Sequence, residues 1–222
     1  MSTSNGGSRR VLAIADEVED RLYGDLLAQL APDLIVACGD LPFEYLENLV
    51  TRAGCPLVYV PGNHDPDLHP DAMPVGWGPV RARPNLGPEG CDNTDGRIVD
   101  TAGVAVAGLG GSMRYKDGPN QYTERQMSLR ALRLQMLHQR RRLLRRRDVD
   151  VLLAHAAPSG LGDRPDPCHR GFEALNRLAR RLRPRLIVHG HVHPYGRHEP
   201  DRGIGPTLVV NAIPYRLLEV PR

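Results

Sequence analysis

Three short apolar runs, Val11–Ala15, Leu34–Cys38 and Leu57–Val60, open the chain, and each stops at residues that end a strand. Between the first two, Leu22, Leu26, Leu27 and Leu30 recur at the helix period. Between the second and third, Phe43–Ala53 reads as a helix with Pro42 at its start, where the missing proline N–H costs nothing. Short strands alternating with helices build a parallel sheet with right-handed crossovers. Ligands of such sheets gather beyond the carboxyl ends of the strands. At those ends stand Asp16, then Gly39-Asp40, then Pro61-Gly62-Asn63-His64-Asp65.

The pattern resumes later in the chain. Arg97–Leu109 predicts a strand pair around Ala102-Gly103, and Thr123 with Gln126 forms a capping box for a helix reaching Arg147. Val149–Ala154 is a further buried strand, ending at His155. Gly171–Leu182 is helical, Leu186–Val188 is a strand, and Gly190-His191-Val192-His193 follows it. Leu208–Asn211 and Tyr215–Val220 read as closing antiparallel strands. Residues 2–8 lack apolar content and are expected as a tail, with a single domain over 9–222. Residues 66–96, rich in Pro, Gly and Asp without periodicity, are expected as a long surface excursion.

Composition excludes several classes. Four scattered cysteines without a C-x-x-C pair make neither a disulfide framework nor a zinc ribbon. The apolar stretch after Arg10 is too short for a secretion signal or a membrane span, so a cytoplasmic location without membrane contact is expected. The net charge is only +3, but residues 124–147 hold nine arginines against Glu124. Leu129, Leu132, Leu137 and Leu144 are expected to pack that helix on the sheet. Its arginines offer contacts to nucleic-acid phosphates, although a solvated helix end complementing the dipole explains them without a nucleic-acid partner. Gly108–Ser112 lacks the Walker lysine and reads as a tight turn. The stretch Gly110–Tyr122 that includes it is expected to rim a pocket with Ser112, Arg114, Tyr115, Asn120 and Tyr122.

Singly, an Asp after a strand is a turn former and a strand-terminal His a hydrogen-bonded structural residue. Together, five strand ends each supply a metal-competent side chain. Mixed carboxylate, amide and imidazole donors suit Mn, Fe, Co, Ni or Zn. Asp16, Gly39-Asp40, Gly62-Asn63-His64-Asp65, His155 and Gly190-His191-Val192-His193, in that order, resemble the five motifs of the calcineurin-like metallophosphoesterases. The resemblance implies an α/β fold, a four-layer α-β-β-α sandwich of two mixed sheets. It implies two divalent ions, bridged by Asp40, with Asp16 and His193 at the first and Asn63, His155 and His191 at the second. It also implies phosphate-ester hydrolysis of a small substrate touched by Asn63 and His64, with His64 serving the leaving oxygen and Asp65 orienting it. The alternative is a non-catalytic scaffold or phosphate sensor.

One position departs from the pattern. The first motif of that family is Asp-x-His, and here it reads Asp16-Glu17-Val18. Valine cannot ligate, so the first site is expected to be weak or empty. Strand alternation turns Glu17 to the opposite face from Asp16, and Glu19 reaches the site only if the loop curls back.

Overall fold

The apolar runs become strands, largely buried because helices cover one face of each sheet and the other sheet covers the opposite face. The computed structural model describes residues 7–67, 87–195 and 200–221. Along the chain the elements are β1 (Ser8–Ile14), α1 (Asp25–Leu30), β2 (Leu34–Ala37), α2 (Phe43–Ala53), β3 (Leu57–Tyr59) and β4 (Cys91–Asn93). There follow β5 (Ile98–Thr101), β6 (Val104–Leu109), β7 (Ser112–Met113), β8 (Gln121–Tyr122), α3 (Glu124–Leu143) and β9 (Val151–Ala154). The last are α4 (Glu173–Leu182), β10 (Leu186–His189), β11 (Arg202–Ile204), β12 (Thr207–Asn211) and β13 (Tyr215–Pro221).

One sheet runs β13-β1-β2-β3-β4, parallel except for β13 at one edge, and the other runs β11-β12-β10-β9-β6-β5, parallel at its centre with antiparallel strands at both edges. Side chains alternate across each strand. Val11, Ala13, Val36 and Val58 therefore meet Val106, Leu153, Val188 and Val210 between the sheets. Leu12, Ile14, Ile35 and Leu57 face Leu27, Tyr45, Leu46 and Leu49 of α1 and α2. Leu109, Leu152 and Ile187 face Met127, Leu134, Phe172, Leu175 and Leu178 on the α3 and α4 side. The result is the four-layer α-β-β-α arrangement. Phe172 is fully buried in that outer layer, so Phe172→Ala should cost about 3–5 kcal/mol, read as a lower denaturant midpoint.

Several details differ from expectation. The Arg21–Leu30 helix divides into a 3₁₀ turn at Asp20–Tyr23 and α1, with Gly24 between them. Within the expected excursion over 66–96, β4 pairs with the edge of β3 through its backbone, a contact that no apolar pattern announces. Residues 68–86 of that excursion, and residues 1–6 of the expected tail, lie outside the described residues. The last two strands do not pair with each other: β12 lies parallel to β10, while β13 lies antiparallel to β1 in the other sheet.

The α3 capping box is present, with Thr123 accepting from the Gln126 amide at 3.2 Å and Gln126 from the Thr123 amide at 2.8 Å. The helix stops at Leu143, earlier than expected, because Arg145 turns left-handed at φ 53°. The Arg145 and Arg146 amides then close on the carbonyls of Arg142 and Arg141. Its packed face is Met127, Ala131, Leu134 and His138, not the expected leucines. Leu129, Leu132, Leu137 and Leu144 are 42–62% exposed on the other side. The buried residues are spaced by 4, 3 and 4, the narrower stripe on a helix of about 3.6 residues per turn. Arg141 is also engaged internally, pairing with Asp100 at 2.6 Å.

Candidate metal centre

The strand ends turn sharply. Asp16, Asp40 and His191 adopt φ of 57°, 56° and 67°, a left-handed conformation that costs non-glycine residues about 1–3 kcal/mol each and concentrates at functional sites. The Asp16 and Asp40 turns each close against a glycine of another strand end. A Cβ on Gly62 would collide with the Asp40 carboxylate, and one on Gly190 with the Asp16 carboxylate. Backbone donors then fix both acids: the His191 amide bonds Asp16 Oδ2 and the His64 amide bonds Asp40 Oδ1, each at 2.8 Å.

These turns bring the two sheets' strand ends together. Ligating atoms of Asp16, Asp40, His155 and His191 all lie within 4.8 Å of one another. The imidazoles are sorted by their second nitrogens. His155 Nδ1 meets the Cys38 carbonyl at 2.8 Å, leaving Nε2 at 2.9 Å from Asn63 Oδ1 and 3.4 Å from Asp40 Oδ2. His191 Nε2 meets the Cys168 carbonyl at 2.6 Å, which leaves Nδ1 as its unshared nitrogen. A carbonyl only accepts, so the nitrogen meeting it carries hydrogen and the other is the one that could ligate a cation. His193 lies at the rim, with Nε2 4.0 Å from Asp16 Oδ1.

Protonation follows from burial and neighbours. Burial raises the Asp16 carboxyl above its ordinary range, offset in part by the His155 charge and the His191 amide. Burial also opposes ionisation of Asp40, but the hydrogen bond and charge of His155 outweigh it and hold the carboxyl below its usual value. Burial disfavours the His155 cation, yet the bond and charge of Asp40 lift this imidazole to about 9. Burial and the His155 charge push His191 down to about 3, so its ring is neutral. Any cation taking the Asp40 and His155 donors competes with that proton, which makes loading proton-linked.

The Gly-Asn-His-Asp turn is held from beneath. Asp65 Oδ2 accepts from the Gly62 amide at 2.7 Å and the Asp40 amide at 3.1 Å, while Asn120 Nδ2 donates to the Asp65 carbonyl at 3.2 Å. Asp65 thus braces the loop that carries His64. His64 is exposed, and beside it a cavity of about 420 Å³ is lined by Asp40, Leu41, Phe43, Glu44, Asp65 and Pro66 among others. Of the expected rim residues, Tyr115 reaches the site, its hydroxyl 3.4 Å from Asn63 Nδ2. Ser112 is buried against its neighbour's carbonyl, Arg114 bonds Gln121 and Gln126, and Tyr122 packs under Arg130.

The sequence profile of the calcineurin-like phosphoesterases matches residues 6–195. The chain belongs to that family. It is similar to an uncharacterized protein of Haemophilus influenzae, 28% identical with 78% of each chain covered. Its fold is similar to the crystal structure of TT1561 of Thermus thermophilus, with a TM-score of 0.60 and 20% identity over 92% of this chain and 89% of that one. A second solved structure overlays with a TM-score of 0.61 at 17% identity, covering 96% of this chain and 99% of the other.

As calcineurin-like phosphoesterases go, this chain is unusual at its first motif, and the structure corrects the expectation for Glu17. Asp16 has left the strand, so alternation no longer governs the next residue. Glu17 turns toward the site and its Oε1 lies 2.7 Å from His193 Nδ1. Glu19 is engaged elsewhere, bonding Arg21 at 2.8 and 2.9 Å. Reading the motifs alone also misses the loop before α4. Its Cys168 carbonyl fixes His191, and Arg164 Nη2 donates to the His193 carbonyl at 2.6 Å. Carbonyl contacts leave no trace in residue type, so no sequence signal marks Cys168.

Proposed function

We propose that this phosphoesterase hydrolyses a small phosphate ester at a centre built from Asp16, Asp40, Asn63, His155, His191 and His193. The observation that carries the reading is the sorting of the imidazoles. His155 and His191 each donate one nitrogen to a backbone carbonyl while the acids crowd beside them, an arrangement that favours a cation. Divalent ions there would neutralise phosphoryl oxygens and lower the pKa of water toward neutrality.

The remaining roles belong to the chain. Asp40 is the natural bridge, because its two oxygens face different partners, Oδ1 the His64 amide and Oδ2 His155. Asp16 and His193 form one half, and Asn63, His155 and His191 the other. His64, exposed beside the cavity, protonates the leaving oxygen, as an imidazole can near neutral pH. Asp65 keeps the His64 backbone in place through the turn. Tyr115 holds the Asn63 amide and borders the space where an ester group rests.

The test measures hydrolysis of aryl phosphate monoesters and diesters by the purified protein with added Mn, alongside metal analysis. Chelation is expected to stop turnover and Mn to restore it. Absence of metal-stimulated turnover on every ester, together with a failure to retain any ion, overturns the reading. Val18 motivates a second reading, a phosphate sensor that binds without turning over. Saturable phosphate binding with full metal content and no hydrolysis would establish it.

A further inference from the structure

We infer that Glu17 is a positioning residue that holds His193 with Nε2 toward Asp16, sustaining the half of the centre that position 18 leaves short of an imidazole. The inference rests on the metal-dependent reading above.

The backbone makes the contact available. Beyond the end of β1 the Glu17 amide folds back on the Ala15 carbonyl at 2.6 Å, while Asp16 sits at φ 57°. This tight turn carries the Glu17 carboxylate to His193 Nδ1 at 2.7 Å. With the Glu17 carboxylate accepting from Nδ1–H, Nε2 is the nitrogen left to face a cation, and it lies 4.0 Å from Asp16 Oδ1. Glu17 and Asp16 therefore meet opposite edges of one ring. A carboxylate bound to the ligand imidazole's other nitrogen fixes tautomer and orientation and raises basicity.

His193 needs such a hold more than its neighbours. His155 and His191 are walled in, with exposures of 0% and 7%. The His193 side chain is 33% exposed, so packing leaves its rotamer open. Its backbone is tied by Arg164 at the carbonyl, and the Val192 carbonyl by Asn211 Nδ2 at 2.8 Å, but those bonds leave the ring free to turn. The Tyr195 ring also lies 6.0 Å from it, a contact that does not distinguish its two nitrogens; among the described residues, the Glu17 bond does. Glu17 is itself 50% exposed, and as an ordinary surface pair it would leave ion uptake unchanged. That difference makes the two roles separable.

The experiment is Mn titration calorimetry on the full chain as wild type, Glu17→Gln, Glu17→Ala, His193→Ala and the Glu17→Ala/His193→Ala double variant. Nitrogen-15 NMR of the His193 ring accompanies it. Both Glu17 variants should weaken one ion by about 10–100-fold and leave the other unchanged. The His193 ring should pass from a single Nδ1–H tautomer to a mixture. In the His193→Ala background, Glu17→Ala should add nothing, because its effect travels through that ring. A further loss there would make Glu17 a ligand in its own right and overturn the positioning role. Unchanged ion affinity in Glu17→Ala, or an unchanged tautomer, overturns it as well. Wild-type protein that takes up no ion would instead overturn the metal-dependent reading itself.

Discussion

Asp40→Ala is expected to reduce metal-stimulated phosphate-ester hydrolysis by about 10³-fold or more, equivalent to roughly 4 kcal/mol of lost transition-state stabilisation. This residue touches several parts of the centre at once. Its Oδ1 pins the His64 amide and its Oδ2 faces His155, while its own amide is held by Asp65. Removing the carboxylate deletes the proposed bridge, frees the turn that carries His64, and takes away the charge that keeps His155 near 9. Ion content and turnover should therefore fall together, and His155 should lose its proton at a lower pH, seen as a shifted imidazole resonance. An Asp40→Ala protein that kept both its ions and half its rate would show that the bridge lies elsewhere.

The second large effect is expected at a position with no chemistry of its own. Gly62→Ala places a Cβ into the Asp40 carboxylate and 2.6 Å from the Asp40 amide nitrogen. The amide is backbone and cannot swing aside, so the two strand ends must part. A loss of about 4 kcal/mol or more is expected in the denaturant midpoint, within the range reserved for disrupted special geometry. The comparison is Gly205→Ala, where φ is +59° but nothing lies within 4 Å of the added carbon. There only the left-handed strain remains, about 1–2 kcal/mol. Equal losses at the two glycines would refute the collision as the cause.

Much of this was legible in the sequence because it depended on side-chain type. Alternation of apolar runs and helices announced the parallel strands, and residues at their ends announced the centre, since Asp16, Asp40, His155 and His191 converge as a parallel sheet requires. The illegible parts depended on backbone or on choices between patterns. The Cys38 and Cys168 carbonyls that orient His155 and His191 are independent of residue type. On α3 the expectation followed Leu129, Leu132, Leu137 and Leu144, although Met127, Ala131, Leu134 and His138 make the tighter helical stripe and are the residues that meet the sheet. Glu17 was misjudged by carrying strand alternation one residue past the point where Asp16 reverses φ. The role of Asp65 went unseen because its partners are the amides of Gly62 and Asp40.

The pairing of β1 with β13, in register from Ser8 opposite Pro221 to Ile14 opposite Tyr215, fixes when the centre comes into being. Joining strands so distant in sequence closes a very long loop, the kind of contact that makes a chain fold slowly. Asp16 sits just beyond β1, and the Ala15 amide at the same turn bonds the Pro214 carbonyl at 3.3 Å. Its carboxylate therefore acquires its final position late, after segments separated by almost the whole chain have met. Asp40 and Asn63, on strands adjacent in sequence, have nearer partners and are placed sooner. During refolding Asp40 and the Asn63 turn should be placed ahead of Asp16, whose own turn is completed by the Pro214 carbonyl and the His191 amide.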